Sequence, residues 1–269
     1  MQLAIGFPGS APDPHRAFVS RALPILQGDP RIVGVAAAGS WADDTMDAHS
    51  DLDLVIAVEP QSFETVLTDR PRIAASLGQL VAAFTGDHVG EPRVLICLYD
   101  APLLHVDLKF VAIDQVGTTV DRPVVLSERA GGEFSNALER SYTGYPRPDP
   151  AWIEARFWTW IHYGASKVAR GELYEALDLL AFLRARVLGP LILERVGERP
   201  AGVRRLERSA PEWAARLHAT VPPHDPRACL EALARCAEIY RDVRPAPTAA
   251  TSRAETVAMS HLQDVAGRL

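Results

Sequence analysis

Two aspartates set two apart, Asp51 and Asp53, open the apolar run Leu52 to Val58. Side chains two apart on a strand project from one face, with their roots about 6–7 Å apart. Carboxylates so placed beside core residues require a cation, because an unpaired buried charge is costly. A divalent metal is the first candidate. A third carboxylate, Asp107, lies in the run Leu103 to Ile113, where Val106, Leu108 and Phe110 alternate with His105, Asp107 and Lys109. If that run pairs beside the first, Asp107 joins Asp51 and Asp53 at the neighbouring-strand spacing of about 5 Å. Three such carboxylates form an oxygen site suited to Mg²⁺. Two ions about 4 Å apart can activate an attacking hydroxyl and stabilise a leaving pyrophosphate. The plainer alternative is a solvated Asp107 and a strand-entry cap at Asp51-Leu52-Asp53; these residues alone leave both open.

The elements that must position these groups follow from periodicity. Asp13-Pro14 reads as an N-cap and first-turn proline, opening a helix with Phe18, Ala22, Leu23, Ile25 and Leu26 inward. Ile32 to Ala38 is a buried strand that ends at Gly39-Ser40, where glycine admits close approach of a ligand and serine can cap a short helix. The loop Trp41 to Ser50 is acidic, with Asp43, Asp44 and Asp47. After the strand Leu52 to Val58, the spacing of Ile73, Leu77, Leu80, Val81 and Phe84 predicts an amphipathic helix over Pro71 to Phe84. Arg93 to Tyr99 and Leu103 to Ile113 read as strands, and Val124 to Leu126 as an edge strand.

The proline cluster Tyr145 to Pro150 is the best boundary, giving domains 1–146 and 147–269. Beyond it the pattern is helical throughout. Asp149-Pro150 and Asp225-Pro226 repeat the cap-plus-proline start, and Trp152, Ala155, Phe157, Trp158, Ile161 and Ala165 form one apolar face. A Pro/Ala-rich turn spans Pro245 to Thr251. Among the polar exceptions Lys167 and Arg170 share a helical face and could neutralise phosphates; Glu172 and Glu175 could meet an amine or act as a base. A solvated surface position is the plainer account of each.

Composition narrows the class. The 269 residues are 48% hydrophobic, with mean hydropathy near zero, net charge −6 and pI near 5.8. That balance disfavours nucleic acid, which calls for a basic face. Cys97, Cys229 and Cys236 lack metal-ligand clustering and read as buried thiols. The amino terminus lacks the pattern of a signal peptide and no apolar segment is long enough for a membrane span, so a cytoplasmic protein is expected.

Gly39-Ser40, ten intervening residues and then Ser50-Asp51-Leu52-Asp53-Leu54, flanked by apolar strands, resembles the signature of polymerase-β-type nucleotidyltransferases. Where many relatives carry a glycine, often with arginine, after the serine, this chain has Trp41-Ala42-Asp43-Asp44. The segment around Trp158, His162, Lys167 and Arg170-Gly171-Glu172-Leu173 is similar to the helices of the bacterial lincosamide and aminoglycoside antibiotic nucleotidyltransferases. The likeness extends to about Leu191 and is architectural beyond it. It implies an α+β fold: an N-terminal nucleotidyltransferase domain, a mixed β-sheet with flanking helices, followed by a C-terminal α-helical bundle. It implies that Gly39 and Ser40 hold a triphosphate and that Asp51 and Asp53 bind two Mg²⁺. Asp107 completes the metal site and can serve as base, and Lys167 assists at the phosphates. The implied reaction moves a nucleoside monophosphate, AMP from ATP or another nucleoside triphosphate, onto a hydroxyl of a small molecule such as an antibiotic. Two alternatives stand beside it: a catalytically silent nucleotide-binding module, and transfer to protein or RNA. The acceptor is expected to be a small molecule, without membrane or nucleic acid; homo-oligomers are left open.

Overall fold

A computed structural model describes residues 6–244, 246 and 248–269. It has the α+β architecture implied above, a mixed sheet with flanking helices and then helices alone. The chain divides into two compact units, to Gly144 and from Tyr145. Residues 1–5, Pro245 and Pro247 lie outside the described residues, and with them part of the expected amino-terminal and Pro/Ala-rich features.

The first unit is a six-stranded sheet. Helix α1 (Asp13–Gly28) precedes strand β1 (Ile32–Ala37), all of whose residues are buried. The four-residue helix α2 (Gly39–Ala42) and the acidic loop lead to β2 (Leu52–Val58). Helix α3 (Phe63–Leu77) is followed by β3 (Gln79–Gly86), β4 (Glu91–Asp100) and β5 (Leu104–Ala112). Strand β6 (Val124–Glu128) and helix α4 (Glu133–Ser141) complete the unit. The order across the sheet is β3-β4-β5-β2-β1-β6. Only β2 and β5 run parallel; the other neighbours are antiparallel. One face buries Leu52, Leu54, Ile56, Val106, Leu108 and Phe110 against Phe18, Leu23 and Leu26 of α1 and Val66, Ile73 and Leu77 of α3. At one end of the other face Ala57 and Val111 pack with Phe134, Ala137 and Leu138 of α4.

The helix expected over Pro71 to Phe84 is corrected. Helix α3 begins eight residues earlier, at Phe63, and carries Pro71 in its interior. It stops at Gly78, whose backbone is extended, and residues 79–86 form edge strand β3, pairing Phe84 with Ile96 of β4. The apolar spacing was real to Leu77 and coincidental after it. Val81 and Phe84 are 59% and 54% exposed, so they belong to no helical core. Two smaller expectations also fail. Asp13 lies in the first turn, with Pro12 at the cap, and Ile25 is exposed.

The second unit packs helices around one apolar core. Helix α5 (Pro150–Ala169) is capped by the Asp149 carboxylate, which accepts from the N–H groups of Ala151 and Trp152. It buries Ile153, Phe157, Trp158, Ile161 and Ala165, while Trp152 and Ala155 face outward, displaced by one position from the expected stripe. Helices α6 (Leu173–Phe182), α7 (Gly189–Arg195), α8 (Leu206–Ser209), α9 (Pro211–His218), α10 (Pro226–Val243) and α11 (Ala249–Ala266) follow, with a π-helical turn over Leu183–Leu188. Cys229 and Cys236 are buried in this core, and Cys97 in that of the first unit.

An ion cluster ties β4 to β5. Glu91 Oε2 lies 2.6 Å from Arg93 Nη2 and 2.9 Å from Lys109 Nζ. The Arg93 hydrogen bond, and then Lys109, hold the Glu91 carboxyl down at about 2, against an ordinary 4.5. A depressed carboxylate contributes stability that is present above its unfolded value and lost as pH falls through the folded one. Glu91→Gln should therefore lower the unfolding free energy by about 1 kcal/mol at pH 7, solvent screening included. The deficit should vanish by about pH 2. Urea denaturation at both pH values checks this, and an equal deficit at both would contradict it.

Candidate functional site

The parallel pairing of β2 with β5 places Asp53 opposite Asp107. Leu52 and Leu54 on either side of Asp53, and Val106 and Leu108 on either side of Asp107, are buried on one face of the sheet. Alternation therefore turns both carboxylates to the other face, where α4 covers only the far end. Asp51, Asp53 and Asp107 are all partly exposed. Burial pushes the Asp107 carboxyl up, His105 opposes the shift, and the charge of Asp51 adds to it. Asp51 is thus an electrostatic neighbour of Asp107, and the two strands gather all three aspartates at one end of the sheet. His105 Nε2 stands 2.9 Å from Asp107 Oδ1.

The backbone at the end of β1 closes against Asp53. The Ala38 N–H donates to the Asp53 carbonyl at 2.9 Å. Gly39 then turns with φ +57°, and a Cβ at that position would overlap an oxygen of the Asp53 carboxylate. Glycine is needed here twice, for the left-handed backbone and for the close approach. Ser40, next in the chain, is 5% exposed. Gly39, Ser40 and Asp53 therefore meet at one corner.

The acidic loop is fastened by its own carboxylates. Asp44 accepts from the Ser10 N–H at 2.8 Å, and Asp47 accepts from the His49 N–H at 2.8 Å. The Ser10 hydroxyl accepts from the Met46 N–H at 3.0 Å. His15, unremarked in the sequence, is 1% exposed on α1, and its Nε2 lies 2.7 Å from the carbonyl oxygen of Ser50. Nε2–H donates to that oxygen and so fixes the backbone immediately before Asp51. The signal was available: His15 shares a helical stripe with Phe18, Val19 and Ala22.

Lys167 lies in the second unit, in the last turn of α5. Its ammonium is 2.5 Å from Glu172 Oε2 and 2.8 Å from Glu175 Oε2, and stands over the Tyr163 ring at 5.1 Å. Glu172 and then Glu175 raise its pKa. The amine that these two glutamates meet is therefore Lys167. Arg170, at the C-cap, is exposed.

No protein-family model matches the chain, and no curated protein matches it. Solved structures similar to it include an aminoglycoside 6-adenyltransferase from Bacillus subtilis, 14% identical with a TM-score of 0.34, over 96% of this chain and 97% of that one. A nucleotidyltransferase-like protein from Exiguobacterium sibiricum is 12% identical with a TM-score of 0.35, over 91% and 77%. A STING-associated c-di-GMP synthase from Capnocytophaga granulosa is 10% identical with a TM-score of 0.31, over 94% and 80%. Among the described residues no helix is long and apolar enough to cross a membrane.

The Gly39–Asp53 contact can be measured without any substrate. Gly39→Ala should cost about 2 kcal/mol in the native chain, from left-handed strain plus the overlap with Asp53. In an Asp53→Ala background only the strain should remain, a coupling of about 1 kcal/mol. A double-mutant cycle by urea denaturation reads this directly; additive costs would mean that the two residues do not touch.

Proposed function

We propose that the chain is a nucleotidyltransferase that moves a nucleoside monophosphate, AMP from ATP, onto a hydroxyl of a small molecule. The observation that carries the reading is the in-register placement of Asp53 against Asp107, with Asp51 close by, on the open end of the sheet. Among the described residues no three acidic, histidine or cysteine side chains converge as metal ligands, and one oxygen of Asp107 faces His105. The donor chemistry nevertheless fits a hard cation. All three groups are carboxylates, and burial raises Asp107, with the charge of Asp51 adding to it. Asp51, Asp53 and Asp107 would hold Mg²⁺, whose chemistry here is charge neutralisation at the phosphates and activation of the attacking hydroxyl.

The remaining work belongs to the chain itself. Gly39 and Ser40 would hold the nucleotide's phosphates at this corner, beside the Asp53 carboxylate. Asp107 would accept the acceptor's proton as general base. Asp44 and Asp47 each accept a backbone hydrogen bond within the first unit, which fixes where the loop holds them. Lys167 is assigned to the phosphates as well; its release from Glu172 and Glu175 would be part of that role.

Asp53→Asn should abolish ATP-dependent transfer, a loss of at least about a thousandfold for a group that neutralises charge at the reacting phosphate. Its melting temperature should equal or exceed that of the native chain, since one of three crowded charges is removed. Mass spectrometry of acceptor mixtures incubated with Mg²⁺ and ATP supplies the readout. Full transfer by Asp53→Asn would end the proposal.

A further inference from the structure

Sheet pairing positions two of the three aspartates and stops short of the other. Asp53 and Asp107 face each other in the ladder of β2 and β5, and the Asp53 carbonyl also accepts the Ala38 N–H. That ladder opens at Leu52 opposite Val106, and the pairing of β2 with β1 ends at Leu54. Asp51 therefore lies one residue before the strand, at the end of the acidic loop. The backbone that delivers it is that of Ser50. Among the described residues, Ser50 bonds within the loop only to Asp47: its N–H donates to the Asp47 carbonyl at 3.2 Å, and its hydroxyl accepts the Asp47 N–H at 3.0 Å. Its carbonyl reaches out of the loop, to His15 Nε2 on α1 at 2.7 Å.

An imidazole is a costly residue for that position. His15 is 1% exposed and shares its helical stripe with Phe18, Val19 and Ala22. Its Nδ1 is buried and has no hydrogen-bond partner among the described residues. One hydrogen bond between neutral groups returns no more stability than a buried, unpaired nitrogen takes away. Leucine would fill the stripe without that penalty. Ser50 is half-buried, so its carbonyl can turn to water if the imidazole is lost. Core packing alone therefore does not favour histidine here. What the imidazole supplies and leucine lacks is an N–H aimed at the residue before Asp51.

We propose that His15 is a positioning residue for the metal site: its hydrogen bond to the Ser50 carbonyl sets where Asp51 presents its carboxylate to the cation and nucleotide. The assignment rests on the transferase reading above. Groups that orient a metal ligand from behind carry about tenfold to a hundredfold of metal affinity without touching the ion. His15 acts in that way through one peptide unit.

Two variants separate the hydrogen bond from the packing. His15→Leu keeps the apolar volume and removes the donor, whereas the amide Nε2 of His15→Gln can reach the same carbonyl. The probe is the Mn²⁺ complex of a non-hydrolysable ATP analogue, titrated calorimetrically into the full chain. His15→Leu should weaken its binding about tenfold or more while melting no lower than the native chain. His15→Gln should stay within about threefold of native affinity, since it retains a neutral donor. The metal-free chain supplies an independent readout. Amide hydrogen exchange over residues 48–52 should quicken about tenfold in His15→Leu and remain near native in His15→Gln. Native affinity in His15→Leu, or losses of equal size in both variants, would overturn the assignment. Quickened exchange in His15→Leu, beside a native chain that binds no metal–nucleotide complex, would instead overturn the transferase reading and the assignment with it.

Discussion

The first unit depends on one strand pairing. Strands β2 and β5 are the only parallel neighbours in the sheet, and they meet residue for residue from Leu52 opposite Val106 to Val58 opposite Ala112. A slip of β2 by one residue would send Leu52, Leu54 and Ile56 to the open face and turn Asp53 into the core, at a large cost in burial free energy. The same apolar residues that hold the sheet to α1 and α3 thus fix Asp53 beside Asp107. Core packing and the placement of charge are one constraint. The rest of the site is built against it. Gly39 gives up its side chain so that Asp53 fits, His15 and Ser10 pin the acidic loop, and the Glu91 cluster holds β4 to β5 at the other side.

This arrangement gathers carboxylates at the open end of the sheet. Asp107 is raised by burial and by Asp51, with only His105 in opposition. Structural carboxylates in this chain show the reverse. Glu91, Asp29 and Asp69 are all lowered by arginine partners. The contrast separates Asp107 from the ion pairs that brace the fold.

The strands that carry chemistry were legible in the sequence because alternation and burial agreed there. Val106, Leu108 and Phe110 against His105, Asp107 and Lys109 could be divided between two faces by inspection, and the structure divides them so. Which strands neighbour one another was not legible, since pairing depends on tertiary contacts that no local pattern encodes. The failure over residues 71–84 has a definite cause. Ile73, Leu77, Leu80 and Phe84 fit a helical period, but Gly78 breaks the helix and β4 recruits residues 79–86 as an edge strand. His15 was missed for another reason: a single histidine on an apolar helix face is ordinary until its partner, the Ser50 carbonyl, is located.

The central claim is that Asp51, Asp53 and Asp107 form a divalent-cation site in the presence of nucleotide. Mn²⁺ is a paramagnetic substitute for Mg²⁺, and its binding can be counted by electron paramagnetic resonance with a non-hydrolysable ATP analogue present. The account predicts bound Mn²⁺ in the native chain, lost in Asp53→Asn and in Asp107→Asn while both variants melt no lower than the native chain. Undiminished Mn²⁺ binding in both variants would contradict it.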